Sequence, residues 1–305
     1  MSVRWRYILF TLFLGTVSTW LAVLYYPNHN LRIIACDVGQ GDAFLITYGK
    51  IQVLVDGGPN NKVIECLSRY LPFWDRKIEM VVLSHPQRDH YLGLIEVFKR
   101  YKVETFVNSG LDSSSQEFSL LKSQVGGNDV KVVNATAKMI IRLGLIYLDI
   151  LHPSEEFLAK NSFISKNLAA VSGSKVLGIY TANEDPNLFS VVFILSYKDF
   201  NALFTGDINP EISDELAKLL IKDADKSIEY IKIPHHGSKN GLTKDLLDAV
   251  EPKIAVISVA KGNSYGHPHN EVIKLLSEKG VKILRTDKIG DVVVETDGRD
   301  VWSGE

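Results

Sequence analysis

The stretch SHPQRDHYLGL, residues 84–94, follows the apolar run IEMVVL (78–83) and leads into LGLIEVFKRY (92–101). The first run is short and apolar apart from Glu79, which reads as a strand buried on both faces. The second has helical periodicity. His85, Asp89 and His90 therefore stand in a loop between a strand and a helix. Asp89 and His90 are adjacent, and a turn aims both at the point that His85 reaches from four residues back. The plain alternative is that Asp89 only caps the helix that follows. The rest of the chain decides against that alternative. Seven of the eight histidines fall in four clusters, each beside an apolar run: His85 and His90 here, His152 in YLDILHP, His235 and His236 in YIKIPHHGS, and His267 and His269 in YGHPH. His29 lies outside the pattern. Strand ends from distant parts of a sheet, each carrying imidazole or carboxylate, are how a metal hydrolase builds its site. Those ligands suit zinc, and manganese also tolerates them.

Working outward, strand-like runs LRIIACDV, AFLITY and IQVLVD precede a helix NKVIECLSRYL, and more strands and helices follow. In the second half FSVVFILSY, ALFTGD, YIKIPHH, IAVISVA, VKILRT and DVVVET read as strands, with helices at 241–250 and 270–279. Strands followed by helices occur twice. Two packed βα halves of this kind give a four-layer αββα sandwich, with the site where strand ends of both sheets meet. Residues 154–187 are polar and weakly patterned, either an inserted loop over the site or a helix with a loose flank.

Six segments occur in order: DVGQGDA (37–43), LVDGGP (54–59), SHPQRDH (84–90), LFTGDI (203–208), IPHHGS (233–238) and SYGHP (264–268). In these the chain resembles the metallo-β-lactamase superfamily, and within it the hydrolase domain of ComEC-type DNA-uptake proteins. The resemblance runs from residue 31 to 297. It implies an α/β, αββα fold and one or two divalent metal ions, zinc or manganese. It also implies hydrolysis of a phosphodiester, with DNA as substrate. The ligand set it implies is drawn from His85, Asp89, His90, His152, Asp207, His235, His236 and His267. Asp207 is placed to bridge two cations, with Gly206 permitting the sharp turn before it. Adjacent His235 and His236 point in different directions, so only one of them is expected to bind. Asp89, His236 and His267 are the catalytic candidates: Asp89 to steer a hydroxide, either histidine to assist the leaving oxygen. Asp37, Asp42 and Asp56 are expected to support ligands from outside the coordination shell. Lys232, Lys239 and Lys261 lie near the motifs. They read as phosphate-neutralising groups or, taken singly, as solvated loop lysines.

One departure stands out. Gln87 occupies the place of the family's second histidine, and a neutral amide is a weak zinc ligand. The first metal then has fewer ligands, with His85 dependent on His152, or is absent. This leaves room for two other functions: hydrolysis of another ester, lactone or amide bond on the same fold, or a non-catalytic binding protein with a degraded site.

Residues 7–26, YILFTLFLGTVSTWLAVLYY, carry no charge over 20 residues, the length needed to span a bilayer. Arg4 and Arg6 precede the segment and Trp5, Tyr7, Tyr25 and Tyr26 flank it, which orients the remainder away from the cytoplasm. The expected organisation is a membrane anchor and linker over residues 1–30 and a hydrolase domain over 31–305. This predicts a single-pass protein of the cell membrane with its catalytic domain extracytoplasmic. Secretion after signal cleavage is the rival, and a role in DNA uptake needs a separate channel protein as partner. From residue 31 onward, 32 Lys and Arg face 36 Asp and Glu, so the domain offers no long-range attraction to phosphate. Cys36 and Cys66 are the only cysteines, and they read as small apolar groups in a strand and a helix, with no disulfide indicated.

Overall fold

Successive residues of the first strand point to opposite layers. Leu31, Ile33 and Ala35 enter the core between two sheets, while Ile34 and Cys36 pack under helices. This period of two, with both faces buried, explains why the strands read as continuous apolar runs. The computed structural model describes residues 3–24, 30–164, 177–222 and 227–304. An eight-stranded sheet runs in the order Val301–Ser303, Val292–Thr296, Leu31–Ala35, Phe44–Tyr48, Ile51–Val55, Lys77–Val82, Lys102–Asn108 and Lys131–Asn134. A seven-stranded sheet runs Lys282–Arg285, Ile254–Ile257, Tyr230–Lys232, Phe200–Phe204, Val192–Tyr197, Ile146–His152 and Ile140–Leu143.

Helices Lys62–Tyr70, Leu94–Arg100 and Gln116–Gly127 cover the outer face of the first sheet. Helices Pro210–Lys222, Lys244–Val250 and Asn270–Glu278 cover the second. The expected αββα sandwich is therefore present. Aromatic rings fill the middle: Phe193 and Phe204 stack at 4.9 Å, and Phe44 meets Phe204 edge-on at 5.7 Å. One detail departs from two sequential halves. Val292–Thr296 leaves the second half and pairs antiparallel with Leu31–Ala35. Its alternating Val292 and Val294 fit the inter-sheet core equally well from either sheet, so the pattern alone does not choose the partner.

The polar stretch 154–187 contains a helix Glu155–Asn161 and a small ribbon of Phe163–Ile164 with Tyr180–Thr181; residues 165–176 lie outside the described residues. The N-terminal helix spans Val3–Leu24, and every described side chain in it, residues 4–21, is exposed. Among the described residues no helix is long and apolar enough to cross a membrane. The helix takes in Arg4 and Arg6 and four hydroxyl residues, Thr11, Thr16, Ser18 and Thr19, which bond back to backbone carbonyls. Tyr25, Tyr26 and the linker up to residue 29 lie outside the described residues.

The cysteines correct the sequence reading. Cys36 and Cys66 are joined in a disulfide, with Cα atoms 5.8 Å apart. Burial was anticipated correctly, since both are almost fully enclosed. Pairing follows from the helix Lys62–Tyr70 crossing directly over the end of the first strand, a tertiary contact that spacing does not reveal. The bond closes a segment with a sequence separation of 30, a constraint on the unfolded chain of roughly 3.5 kcal/mol in the loop-entropy picture. Urea unfolding with and without reductant should differ by about 3–4 kcal/mol. Coincident curves would show that the bond contributes nothing.

Candidate metal centre

Four residues from three separate loops meet at the sheet ends. Asp89, His90, Asp207 and His236 each contribute one ligand atom to a group whose members all lie within 4.8 Å of one another. Asp89 and His90 come from a one-turn helix, Arg88–Tyr91, that follows the strand Lys77–Val82. Asp207 follows the strand Phe200–Phe204 through Thr205 and Gly206. A Cβ at Gly206 (φ +55°) would lie 2.7 Å from the Ser190 Cβ, so the turn requires glycine. The Asp207 amide donates to Ser190 Oγ at 3.1 Å.

His235 and His236 both adopt left-handed backbone (φ 51° and 55°) in the turn Pro234–Gly237, a cost of about 1–3 kcal/mol each. The turn separates the adjacent rings as expected. His236 is buried in the cluster, while His235 faces the rim with its ring 5.8 Å from that of His267.

The back of each imidazole is held by a carboxylate. Asp56 Oδ2 lies 2.9 Å from His90 Nδ1, and Asp56 accepts both the Ser84 amide and hydroxyl at 2.7 Å. Asp42 Oδ1 is 3.3 Å from His236 Nδ1, which also faces the Ser258 carbonyl at 3.0 Å. Gly41 explains the DVGQGDA motif. A Cβ there (φ +141°) would sit 2.2 Å from the Asp89 carbonyl oxygen, so only glycine lets this turn slide under the ligand loop. Asp37 is not part of this arrangement. Its carboxylate accepts the Gly39 amide and its own amide donates to Asp291, so it shapes the turn.

Lys232 corrects the expectation of a loop lysine. It is 2 % exposed, with Nζ 2.5 Å from Asp42 Oδ2 and 3.1 Å from Asp207 Oδ1. Its position at the end of an apolar strand, two residues before Pro234, was the available signal. Lys239 and Lys261 are exposed, as a solvated reading expects.

Burial disfavours charge on His90 and His236, but Asp207 with Asp56 and Asp42 outweighs it and raises both imidazoles well above their usual range. Burial raises Asp207, yet His236, Lys232 and His90 hold it well below the carboxylate range. The cluster is thus a place where protons on two imidazoles balance excess negative charge. One divalent cation displacing those two protons leaves that balance unchanged. The inward nitrogens of His90 and His236 face Asp207 Oδ2 at 3.3 and 3.1 Å, and that of His85 is buried with no hydrogen-bond partner, an arrangement that a cation fits.

Other expected ligands stand apart. His85 packs its ring 4.2 Å from that of His90, and burial lowers its pKa to about 3. His152 is not in the cluster: its Nε2 donates to the Leu188 carbonyl at 2.8 Å and its ring packs against Phe157. The imidazole ending that strand is a core group, because the strand directs it under the helix Glu155–Asn161. His267 lines the pocket mouth with a lowered pKa of about 4, set by burial and then by the neighbouring histidines. A polar pocket of about 380 Å³ opens above the cluster, lined by Asp89, His235, His236, His267, Tyr265, Arg88 and Gln40 among others.

The family model for the metallo-beta-lactamase superfamily matches residues 36–261, most of the chain and all four cluster residues. The chain belongs to the metallo-beta-lactamase superfamily. That membership makes it a metal-dependent hydrolase. It is 24 % identical over 282 residues to ComE operon protein 3 of Bacillus subtilis, covering 84 % of this chain and 32 % of that protein. It is 24 % identical over 268 residues to Competence protein ComA of Neisseria gonorrhoeae, covering 87 % of this chain and 32 % of the relative. The chain thus spans about a third of the length of these relatives. The metallo-beta-lactamase fold protein YhfI from Bacillus subtilis superposes with a TM-score of 0.53 at 12 % identity, covering 90 % of this chain and 100 % of that one. The fold and the residue group together point to divalent metal binding.

Two outcomes are expected. Asp56→Asn should weaken metal affinity about 10–100-fold, measured by competition with a chromogenic chelator; an unchanged affinity would show that Asp56 does not orient His90. His152 should leave an acid signature. Its folded pKa, lowered to about 4 by burial, lies below the unfolded value near 6.5. Its contribution is therefore complete above pH 6.5 and is lost as pH falls toward 4, about 3 kcal/mol in all. In urea unfolding across that window, His152→Gln should reduce the slope of stability against pH by up to about 1.4 kcal/mol per unit.

Proposed function

We propose that the protein is a metal-dependent phosphodiesterase acting on DNA outside the cytoplasm, held at the membrane by its N-terminal helix. The observation that carries this reading is the convergence of Asp89, His90, Asp207 and His236, two of which, Asp89 and His236, line an open pocket. A divalent cation at such a centre acidifies bound water from 15.7 to about 7 and offsets charge on an anionic scissile group.

The side chains around it have separable tasks. Asp89 is about a third exposed at 32 %, the most open of the four, and with His236 it lines the pocket. It is placed to orient a nucleophilic water. His236 has both ring nitrogens committed, one backed by Ser258 and Asp42, the other turned to the cluster. His267 is neutral at pH 7, and its Nδ1 has no partner. A neutral imidazole carries one N–H, so His267 is placed to hydrogen-bond a leaving oxygen rather than to protonate it. Arg88 contributes a largely exposed guanidinium to the same pocket, a group suited to phosphate.

The similarity to a competence protein supports a role connected with DNA. The exposed apolar side chains of the N-terminal helix, with Trp5, Phe13 and Trp20 each more than half exposed, support an anchor. The disulfide supports an oxidising compartment. A separate channel protein is the partner this placement calls for in uptake.

The full chain, purified in detergent and reconstituted with zinc or manganese, should cleave bis-para-nitrophenyl phosphate and single- or double-stranded DNA while leaving a lactone intact. Asp207→Asn should lower kcat/KM by more than the roughly 100-fold typical of outer-shell partners. Turnover confined to the lactone would reject the phosphodiester, and an unaltered Asp207→Asn enzyme would reject the centre.

A further inference from the structure

We infer that the centre is built for one divalent cation, held by Asp89, His90, Asp207 and His236, with the Lys232 ammonium occupying the Asp207 oxygen that a second cation would need. The inference rests on the metal-centre reading above and concerns how many ions that centre holds.

The two oxygens of Asp207 have different partners. Oδ2 lies 3.3 Å from His90 Nε2 and 3.1 Å from His236 Nε2. Oδ1 faces Lys232 Nζ at 3.1 Å. An ammonium has three donors, and Lys232 has three acceptors around it: Asp207 Oδ1, Asp42 Oδ2 at 2.5 Å and the Gly206 carbonyl at 2.6 Å. With all three donors engaged and water excluded, withdrawing this cation from its partners is costly. The space beside it, lined by Asp42, Asp56, Ser84 and Gly206, is a cavity of only about 10 Å³, room for at most one water and none for a hydrated ion.

On the other side of the cluster, among the described residues, His85 is the one imidazole with a free inward nitrogen. His152 gives its Nε2 to the Leu188 carbonyl. Gln87 brings a neutral amide, whose nitrogen faces Asp185 at 3.4 Å. A single imidazole falls short of the three or four protein ligands a metal site uses.

The test is metal stoichiometry on the full chain in detergent, stripped with chelator and titrated with manganese. Elemental analysis and electron paramagnetic resonance provide readouts independent of turnover. One equivalent and an uncoupled spectrum are expected. Two tight equivalents, or a spin-coupled pair, would overturn the single-ion inference while leaving the metal centre intact. No stoichiometric binding would overturn the centre itself.

His85→Ala should retain the one equivalent within about threefold in affinity, whereas His90→Ala should lose ~100-fold or more. His85→Gln repeats the first comparison if the alanine variant melts early. A comparable loss in a folded His85 variant would make His85 a ligand and defeat the inference. Lys232→Met should admit a second, weaker equivalent between Asp42 and Asp207. A folded Lys232→Met protein that still takes up one equivalent at unchanged affinity would show that Lys232 excludes nothing.

Discussion

The carboxylate of Asp207 faces two kinds of positive partner at once, and the rest of the centre is arranged around that division. One oxygen meets the imidazoles of His90 and His236; the other meets the Lys232 ammonium. Lys232 also holds Asp42, and Asp42 reaches back to His236. Asp207, Lys232, Asp42 and His236 close a ring in which each charge has a fixed neighbour. Such a ring survives burial because no member is left unpaired; removing one partner of a buried pair typically costs 3–5 kcal/mol. The geometry presented to a cation is therefore set before any cation arrives.

Three residues at or beside this ring, Asp56, His235 and His236, adopt left-handed conformations without being glycine; the others among the described residues, Lys138, Lys198 and Glu251, lie elsewhere. Each of the first three brings a polar side chain to a point that an extended backbone would miss. The cost is offset by features away from the site: stacked aromatics between the sheets, helices over both outer faces, and the Cys36–Cys66 bond that fixes the helix Lys62–Tyr70 to the first strand. Rigid sheet ends carry the strained loops, and the pocket opens where both sheets end. Asp89 and His267 are the groups that connect this fixed floor to whatever enters.

Much of this was legible in the chain itself. Apolar runs with polar punctuation gave the strands, helical periodicity gave the layers that cover them, and histidines placed beside those runs gave half of the cluster. Asp89, His90, Asp207 and His236 were all named from local pattern and resemblance. The misses share a cause. His152 ends an apolar strand much as His85 follows one, but the next helix covers its ring and the Leu188 carbonyl, 36 residues on, accepts its N–H. Lys232 reads as an ordinary lysine until Asp42 and Asp207 arrive from other loops. Cys36 and Cys66 show no pairing until a helix crosses a strand.

The amino-acid order alone determined the alternation that makes two sheets, the helices that flank them, and the residue types able to hold a cation, because those depend on neighbours close along the chain. Tertiary structure decided which histidines converge, which carboxylates stand behind them, where Val292–Thr296 joins, and that a lysine lies inside the site. These outcomes depend on distances between segments far apart in sequence. Only the packing of two sheets against each other brings those groups within a few ångströms.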